Sequence, residues 1–489
     1  MRMNPAAPRT ASSRRAAHEV PHHAEEKRIV SLPSSSLLIR HPIAVMSGRA
    51  GDAARLGRPD IRIRDGRIES IAPDLAPLPD ERVIDAQDCV VYPGWINTHH
   101  HLFQNLLKAV PAGINADLQA WLAAVPYPRV ARFTPDLARI AARLGFAELL
   151  LSGVTTCADH HYLYHAGGTT ETGDLLFDEA ANFGMRFVLC RGGALQAAGD
   201  HPGFAGTALQ PETLDQMLAD IERLKARYHD ASAASMRRVV VAPTTPTFSL
   251  PPALLPEVAR AARGMGLRLH SHLSETTRYV DFCRERYGKL PVEFVADHEW
   301  LGPDVWFAHL VHLEPNEIAM LAETGTGCAH CPVSNARLGS GIAPAPRMAS
   351  AGVPVSLGVD GVASNESGSM THEANFAWLV HRAAHGASAT TAEEVLHWGT
   401  QGGARVLGLG AVGTLEVGQA ADLVLYDVSG PRFNGFHDHA IAPVVAGEPA
   451  PVRYSIVNGR VVVDDGEIPG LDLPALRRAA ADAVRQLLD

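Results

Sequence analysis

The chain has 489 residues, which is enough for one large barrel with an appendage or for two or three domains. With 46% hydrophobic and 20% charged residues it has a globular composition, and its net charge of −10 without a long basic block argues against nucleic acid as a partner. No apolar run approaches the ~20 residues of a membrane span. The six scattered cysteines favour a reduced, cytoplasmic protein.

Both ends of the chain carry short β-like runs broken by Gly, Asp and Pro. Residues 1–35 lack apolar periodicity, and we expect them to form a disordered leader. We predict one small β-sandwich domain assembled from residues 36–92 and 413–470, followed by a C-terminal helix at 471–489. The predicted strands are 36–46, 60–64, 67–71, 82–85, 413–418, 421–426, 452–458 and 460–463.

Residues 93–412 alternate between strand-like and helix-like patterns, which predicts parallel β-strands joined by helices. The predicted helices are 136–151, 211–227, 252–265, 315–324 and 347–351. The apolar strand-like runs end at His101, Asp159, Arg191, Pro243, His272, His309, His330 and Asp360. Eight such runs are the number required for a (β/α)8 barrel, and polar residues at the carboxyl ends of barrel strands indicate an active site.

The first of these runs leads into three consecutive histidines in the segment VYPGWINTHHHLFQ, residues 91–104. Alternate side chains of a strand share a face, so His99 and His101 are expected to point the same way and His100 the opposite way. Two imidazoles side by side on a rigid strand are a suitable start for a transition-metal site.

Four motifs together resemble those of the amidohydrolase superfamily, in its cytosine/guanine deaminase-like branch. The resemblance extends from about Ser36 to Gly466 and implies an α/β fold, a distorted (β/α)8 TIM barrel with a β-sandwich built from both termini. This agrees with the fold predicted from the patterns above. The motifs are PGWINTHHHLFQ at 93–104, LHSHLSET at 269–276, FAHLVHL at 307–313 with HCPVSN at 330–335, and LGVDGVASN at 357–365.

The resemblance implies that His99, His101, His272 and Asp360 bind a divalent metal. Three imidazoles and one carboxylate suit Zn²⁺, our first expectation, or Fe²⁺. His270 is an alternative to His272, which we favour because it places the motif's glutamate one turn beyond the strand end. Many relatives bridge two metals with a carboxylated lysine on the fourth strand. No lysine lies on that predicted strand here, so we expect one metal per chain.

The same resemblance assigns catalytic roles to three residues. Glu275 would carry a proton from the attacking water to a ring nitrogen of the substrate, and His309 would orient the hydroxide without binding the metal. Asp360 would pass the second proton to the departing amine. These roles need groups that exchange protons near the working pH.

Four further residues are candidate substrate contacts. Gln104 could hydrogen-bond a ring amide, Arg191 a ring carbonyl, and His330 could reach the substrate from the seventh strand. We interpret residues 110–128 as a lid with Trp121 as a stacking surface. Arg191 in a structural salt bridge and Trp121 as a packing residue are the alternatives.

The HHHLFQ string and the arginine at the third strand resemble most the isoxanthopterin and 8-oxoguanine deaminase group. This implies hydrolytic deamination of an amino-substituted bicyclic heterocycle, with isoxanthopterin first and 8-oxoguanine or guanine next. An s-triazine chlorohydrolase or aminohydrolase is an alternative. A non-catalytic scaffold is a remote one, because all expected metal ligands and Glu275 are present. We expect a small-molecule heterocyclic substrate and a homo-oligomer.

Overall fold

The computed structural model describes residues 36–195, 209–447 and 449–488, so the predicted leader at 1–35 lies outside the described residues. The strands are β1 (Ser36–Arg40), β2 (Ala44–Met46), β3 (Arg55–Gly57), β4 (Asp60–Arg64), β5 (Arg67–Ala72), β6 (Arg82–Asp85), β7 (Cys89–Pro93), β8 (Trp95–His100), β9 (Val154–His161), β10 (Arg186–Arg191), β11 (Arg237–Val241), β12 (Arg268–Leu273), β13 (Val305–His309), β14 (Gly327–His330), β15 (Val355–Leu357), β16 (Leu423–Asp427), β17 (Val452–Val457) and β18 (Arg460–Asp464).

The helices alternate with the strands of the central part of the chain. They are α1 (Leu118–Ala124), α2 (Pro135–Leu151), α3 (Glu171–Phe183), α4 (Leu214–Tyr228), α5 (Leu255–Gly264), α6 (Thr277–Tyr287), α7 (Pro291–Asp297), α8 (Pro315–Thr324), α9 (Pro332–Arg337), α10 (Ala345–Ser350), α11 (Met370–His385), α12 (Ala392–His397), α13 (Gly403–Leu407), α14 (Ala442–Val445) and α15 (Leu473–Leu488).

Local capping sets the bounds of several helices. The Thr134 hydroxyl accepts from the backbone N–H of Leu137 at the start of α2, and Thr213 forms a capping box with Gln216 at the start of α4. Helix α3 ends at Gly184, whose φ of 70° lies in the left-handed region that glycine adopts without steric cost. The predicted helices therefore occur close to their expected bounds.

The eight strands β8 to β15 pair in parallel in chain order and form the barrel. Strands β8 and β15 close it through a parallel bridge between His100 and Asp360, where Asp360 donates its backbone N–H to the carbonyl of His99 at 3.0 Å. The predicted (β/α)8 barrel is confirmed. Its strand ends lie within two residues of the predictions, except that β15 ends at Leu357, before Asp360.

A buried apolar cluster fills one end of the barrel interior. Its members come from six of the barrel strands and from α13 and the turn after it, and side chains from so many strands can meet only inside the barrel. The strand members are Ile96, Ala158, Val188, Cys190, Val240, Ala242, Trp306 and Ala329, and the others include Ala404, Val406, Leu407 and Leu409. This packing leaves the carboxyl ends of the strands for polar side chains.

Two further sheets lie outside the barrel, the first built from N-terminal strands alone and the second from strands of both ends of the chain. One has the order β5-β4-β1-β6 and the other β18-β17-β16-β7-β2-β3. Their facing sides share one buried cluster that includes Leu37, Ile39, Ile61, Val91, Leu423 and Ile456. The two sheets therefore pack as a sandwich around a core separate from that of the barrel.

The predicted strand at residues 413–418 is wrong. This segment is a turn that crosses between the two sheets, with Leu415 N–H donating to the Ser47 carbonyl at 2.9 Å and Gly418 N–H to the Ile68 carbonyl at 2.8 Å. Gly413 and Gly418 have φ of 87° and 90°, which a β-strand does not contain. Leu415 packs in the core between the two sheets, whereas Val417 is exposed.

The remaining features concern the outer surface. The helix predicted at 471–489 is α15, and its residues Ala483 and Leu487 pack in a cluster with Trp121 and Phe103. In the part of the chain that the structure describes, every helix is too short or too polar to cross a membrane.

Candidate active site

Five side chains converge at the carboxyl ends of the barrel strands. His99 and His101 come from β8 and the residue after it, His272 from β12, His309 from β13, and Asp360 follows β15. Asp360 Oδ1 lies 3.3 Å from His99 Nε2 and 3.2 Å from His101 Nε2, and His101 Nε2 lies 3.2 Å from His272 Nε2. The candidate ligand atoms of His99, His272, His309 and Asp360 all lie within 4.8 Å of one another.

Irregular backbone aims several of these side chains. The pairing of β8 with β9 shifts register between Asn97 and His100, and such a bulge re-aims the side chains that follow. Ser274, His309 and Asp360 have φ of 51°, 76° and 60°, a region that non-glycine residues rarely adopt. Each such residue costs on the order of 1–3 kcal/mol, so the surrounding packing must hold it in place.

The Nδ1 atoms of the clustered histidines are all committed to other partners. His101 Nδ1–H donates to the carbonyl of His160 at 2.7 Å, and His272 Nδ1–H donates to the carbonyl of Thr244 at 2.6 Å. A carbonyl can only accept, so the proton of each neutral imidazole is on Nδ1 and its Nε2 is an unprotonated acceptor. Burial lowers the pKa of His272, which favours the neutral form.

The orientation of His99 follows from a relay through a second histidine. His270 Nδ1–H donates to the carbonyl of Trp306 at 3.0 Å, so His270 Nε2 carries no proton and can only accept. His99 Nδ1–H, 2.8 Å away, donates to His270 Nε2. His99 Nε2 is then also unprotonated and has no hydrogen-bond partner in the described structure. Burial lowers the pKa of His99. In this geometry His272 belongs to the cluster, whereas His270 lies behind it and holds the ring of His99. The sequence analysis favoured this choice between the two histidines.

With neutral imidazoles, these three nitrogens and a carboxylate oxygen face one another without a proton between them, an arrangement that a bound cation would stabilise. Ligands at 2.0–2.1 Å from a tetrahedral zinc are about 3.3 Å apart, and the observed edges of 3.2–3.3 Å match this spacing. His99, His101, His272 and Asp360 are therefore the residues that fit a bound metal, and three imidazoles with one carboxylate suit Zn²⁺.

A second histidine group, formed by His99, His160 and His270, also brings ligand atoms within 4.8 Å of one another. Its closest pair, His99 Nδ1 and His270 Nε2, is separated by 2.8 Å, a hydrogen-bond length that is shorter than a zinc ligand edge of about 3.3 Å. The fourth barrel strand, β11, has the sequence RRVVV and contains no lysine. These observations favour one metal per chain.

Glu275 and His309 lie beside each other at the edge of the histidine cluster. His309 Nε2 lies 3.6 Å from Glu275 Oε2, and His309 Nδ1–H donates to Asn335 Oδ1 at 2.9 Å. Both residues are buried, and burial raises the pKa of Glu275. A carboxyl group with a raised pKa beside unprotonated nitrogens is suited to accepting and returning a proton.

Gln104 lies close to the metal-binding residues. A Cβ at Gly361, directly after Asp360, would fall 1.8 Å from Gln104 Oε1, so this approach requires glycine at 361. Gln104 Nε2 donates to Tyr162 Oη at 3.3 Å, whereas the buried Oε1 has no hydrogen-bond partner in the described structure. The predicted amide contact is thus available at the site.

Two tyrosines near the site were missed as candidates by sequence reasoning. The Tyr162 ring centroid is 4.9 Å from that of His101, and Tyr127 belongs to the lid segment. Burial raises the pKa of Tyr127, and the Glu275 carboxylate adds to the rise. The position of Tyr162 directly after the second strand was the available signal, and Tyr127 had none.

The structure favours the packing alternative for Trp121. Its side chain is only 3% exposed in an apolar cluster with Phe103, Leu107 and Leu338, and its Nε1–H donates to the Ala363 carbonyl at 3.0 Å. Trp121 therefore fastens the lid to the loop after β15 and offers no free face for stacking.

The structure also favours the salt-bridge alternative for Arg191. The fully buried guanidinium pairs with Glu212 at 2.6 Å and Asp220 at 3.0 Å and stacks over the Tyr164 ring at 3.8 Å. His330 Nε2 lies 3.1 Å from Nε2 of His381 on α11, its one ring hydrogen bond among the described residues. Neither side chain joins the histidine cluster.

Comparison with known proteins gives the class of this molecule. Residues 90–462 match the model of the amidohydrolase family. The chain is 52% identical over 475 residues to an isoxanthopterin deaminase from an unknown prokaryotic organism, covering 93% of this chain and 97% of the relative. It is 40% identical over 451 residues to an 8-oxoguanine deaminase from Pseudomonas aeruginosa, covering 91% and 98% of the two chains.

A solved structure agrees with the fold. Atrazine chlorohydrolase from Arthrobacter aurescens TC1, complexed with zinc, superposes with a TM-score of 0.85 at 29% identity, covering 92% of this chain and 100% of that one. The protein belongs to the amidohydrolase family. The predicted family and the predicted class of enzyme, a hydrolytic deaminase, are confirmed.

The first prediction concerns metal stoichiometry. One four-ligand cluster without a bridging lysine should retain about one Zn²⁺ per chain. Elemental analysis of protein purified with added zinc and then dialysed measures this ratio. Two tightly bound metals per chain would contradict the assignment.

The second prediction separates His309 from the ligands. His309→Asn should keep the metal and lose most activity if His309 only orients the attacking water. His272→Asn should lose the metal as well, because it removes one of four ligands. Metal content and ammonia release on the same preparations decide this, and metal loss in both variants would make His309 a ligand.

The third prediction tests Arg191 as a structural residue. Arg191→Met should lower the free energy of unfolding by about 3–5 kcal/mol, because it leaves Glu212 and Asp220 buried without their cation. Arg227→Met, which removes an exposed ion pair with Asp174, is the control and should cost at most about 1 kcal/mol. Urea unfolding measures both. Unchanged stability with a raised KM would restore Arg191 as a substrate contact.

Proposed function

We propose that this protein catalyses the hydrolytic deamination of an amino-substituted bicyclic heterocycle, with an isoxanthopterin-type pterin as the first candidate. The observation that carries the proposal is the histidine and aspartate cluster that a bound cation would stabilise, with the Glu275 carboxyl 3.6 Å from His309 at its edge. The 52% identity to an isoxanthopterin deaminase supports the choice of pterin.

In this proposal His99, His101, His272 and Asp360 hold one Zn²⁺, with Fe²⁺ as the alternative. A zinc ion bound there would lower the pKa of a water molecule to about 7 and so make it a nucleophile at neutral pH. The protein's own residues then orient the reactants and move the protons.

Glu275 takes a proton from the attacking water and delivers it to a ring nitrogen, which makes the adjacent carbon more electrophilic. His309, with its proton held on Nδ1, presents the Nε2 lone pair to that water and fixes its direction of attack. Asp360 then passes the second proton to the exocyclic amine. The C–N bond breaks, and ammonia and a ring carbonyl are the products.

Substrate orientation in this proposal depends on Gln104. Its unpaired Oε1 accepts an N–H of the lactam, the amide edge that oxidised pterins and purines share. A buried acceptor without a partner discriminates strongly against ligands that lack the donor. The Tyr162 and Tyr127 hydroxyls line the same side of the site. 8-Oxoguanine and guanine carry the same lactam and are the next candidates.

An s-triazine hydrolase is the second candidate, because a zinc-containing atrazine chlorohydrolase has the same fold with a TM-score of 0.85. Sequence identity to that structure is 29%, compared with 52% to the isoxanthopterin deaminase, which favours the bicyclic substrate.

The experiment is an ammonia-release screen of the zinc-loaded enzyme with pterins, purines, pyrimidines and aminotriazines, with chloride release measured for chlorotriazines. We expect the highest kcat/KM on isoxanthopterin or another oxidised pterin. Activity confined to triazines would replace the proposed substrate class, and no release from any of these compounds would refute the proposed function.

The fourth prediction concerns Glu275. Glu275→Gln is nearly isosteric but cannot accept a proton from water, so kcat should fall by at least ~10²-fold with KM and metal content retained. The control is Glu285→Gln, which removes an exposed carboxylate on α6 and should leave kcat unchanged. Steady-state kinetics with a metal assay on the same preparations measures the effect. A Glu275→Gln enzyme with parental kcat would remove this residue from the mechanism.

A further inference from the structure

The short helix α9 contacts two of the site's side chains through adjacent residues. Ser334 Oγ donates to Asp360 Oδ2 at 2.6 Å, and Asn335 Oδ1 accepts from His309 Nδ1 at 2.9 Å. Both α9 side chains are fully buried. One turn of helix therefore touches groups that come from two different parts of the barrel rim.

The contact from Ser334 determines which oxygen of Asp360 faces the histidines. A hydroxyl bonded to a carboxylate at 2.5–2.7 Å is a strong, charge-assisted hydrogen bond, and it ties down Oδ2. Oδ1 is then the oxygen directed at His99 and His101. Ser364 Oγ is also within hydrogen-bond distance of Oδ2, at 3.3 Å, and of the Gly361 carbonyl, at 2.8 Å, so Ser334 is the closer of the two hydroxyl donors to Oδ2.

The contact from Asn335 determines the tautomer of His309. An amide oxygen can only accept, so the proton of the neutral imidazole lies on Nδ1. The Nε2 lone pair is then directed toward the side of the site where Glu275 lies, 3.6 Å away. Without this acceptor the ring could carry its proton on either nitrogen, and only one tautomer presents a lone pair there.

Helix α9 is itself held by a buried carboxylate. Glu373 of α11 accepts from the backbone N–H of Val333 at 3.3 Å and from Asn365 Nδ2 at 3.1 Å. Glu373 thus links the start of α9 to the loop that follows Asp360. This link fixes the distance between the helix and the two side chains that it orients.

We infer that Ser334 and Asn335 are positioning residues of the reaction, Ser334 by orienting the Asp360 carboxylate and Asn335 by selecting the His309 tautomer. The inference rests on the proposed deamination for its kinetic consequences. Its zinc-binding and spectroscopic consequences do not require a substrate, so its failure is distinguishable from failure of the proposed function.

The first experiment compares Ser334→Ala with Ser340→Ala, which removes a buried hydroxyl that has no hydrogen-bond partner in the described structure. Loss of a group that supports a metal ligand typically lowers metal affinity or activity by about 10–100-fold. We expect Ser334→Ala to lose zinc affinity and kcat by this factor, with KM unchanged, and Ser340→Ala to match the parent. Chelator competition measures zinc affinity. Parental zinc affinity in Ser334→Ala would overturn the role of Ser334.

The second experiment compares Asn335→Ala with Asn335→Asp. Aspartate keeps an acceptor for Nδ1–H, so the kcat of Asn335→Asp should be at least about tenfold higher than that of Asn335→Ala. Both variants should retain zinc. Imidazole ¹⁵N spectra of the zinc-loaded proteins, with His309→Asn identifying the signal, should show Nδ1 protonated in the parent and in Asn335→Asp. Equal damage in the two variants, or an unchanged tautomer in Asn335→Ala, would overturn the role of Asn335.

Discussion

The structure depends on one electrostatic constraint. Buried hydrogen-bond acceptors, which repel one another, are held at the spacing of zinc ligands. His99, His101 and His272 direct unprotonated Nε2 atoms at one another and at Asp360, with edges of 3.2–3.3 Å. Without a cation this arrangement is unfavourable, because the Nε2 atoms and Asp360 Oδ1 lose hydration on burial and face one another as acceptors. The hydrogen bonds that fix each Nδ1 prevent the rings from turning away. If this cluster holds a cation, as we propose, metal binding should stabilise the folded chain.

The same residues also close the barrel. His100 donates its Nδ1–H to the carbonyl of Asp360 at 2.7 Å, beside the bridge that joins β8 to β15. The first and last strands thus meet through the segments that carry the site, so a change in barrel closure would change the spacing of its ligands. The apolar cluster around Trp306 fills the barrel interior away from these residues. Stability and chemistry are separated along the barrel axis, as is usual for this architecture.

The sequence predicted the parts of the site that are local. The spacing of His99 and His101, the polar strand ends and the absence of a lysine on the fourth strand are all properties of short segments. The partners of Arg191 and Trp121 could not be predicted, because a salt bridge to Glu212 or a hydrogen bond to Ala363 joins segments that approach only in the fold. The choice between two histidines in LHSHLSET likewise depends on carbonyl groups of neighbouring strands. The turn at 413–418 resembled a strand because Leu415 is buried in the core between the two sheets, a contact that a turn can make as well as a strand.

The six-stranded sheet has a consequence for how the chain is synthesised. Strand β7 immediately precedes β8 and pairs with β2 on one side and with β16 on the other, where Val91 lies opposite Leu425. A nascent chain that has emerged only through the barrel region lacks this partner and leaves the apolar edge of β7 uncovered. Such edges promote association between chains until they are paired. The segment that leads into His99 and His101 therefore gains its final support only after β16 has emerged from the ribosome.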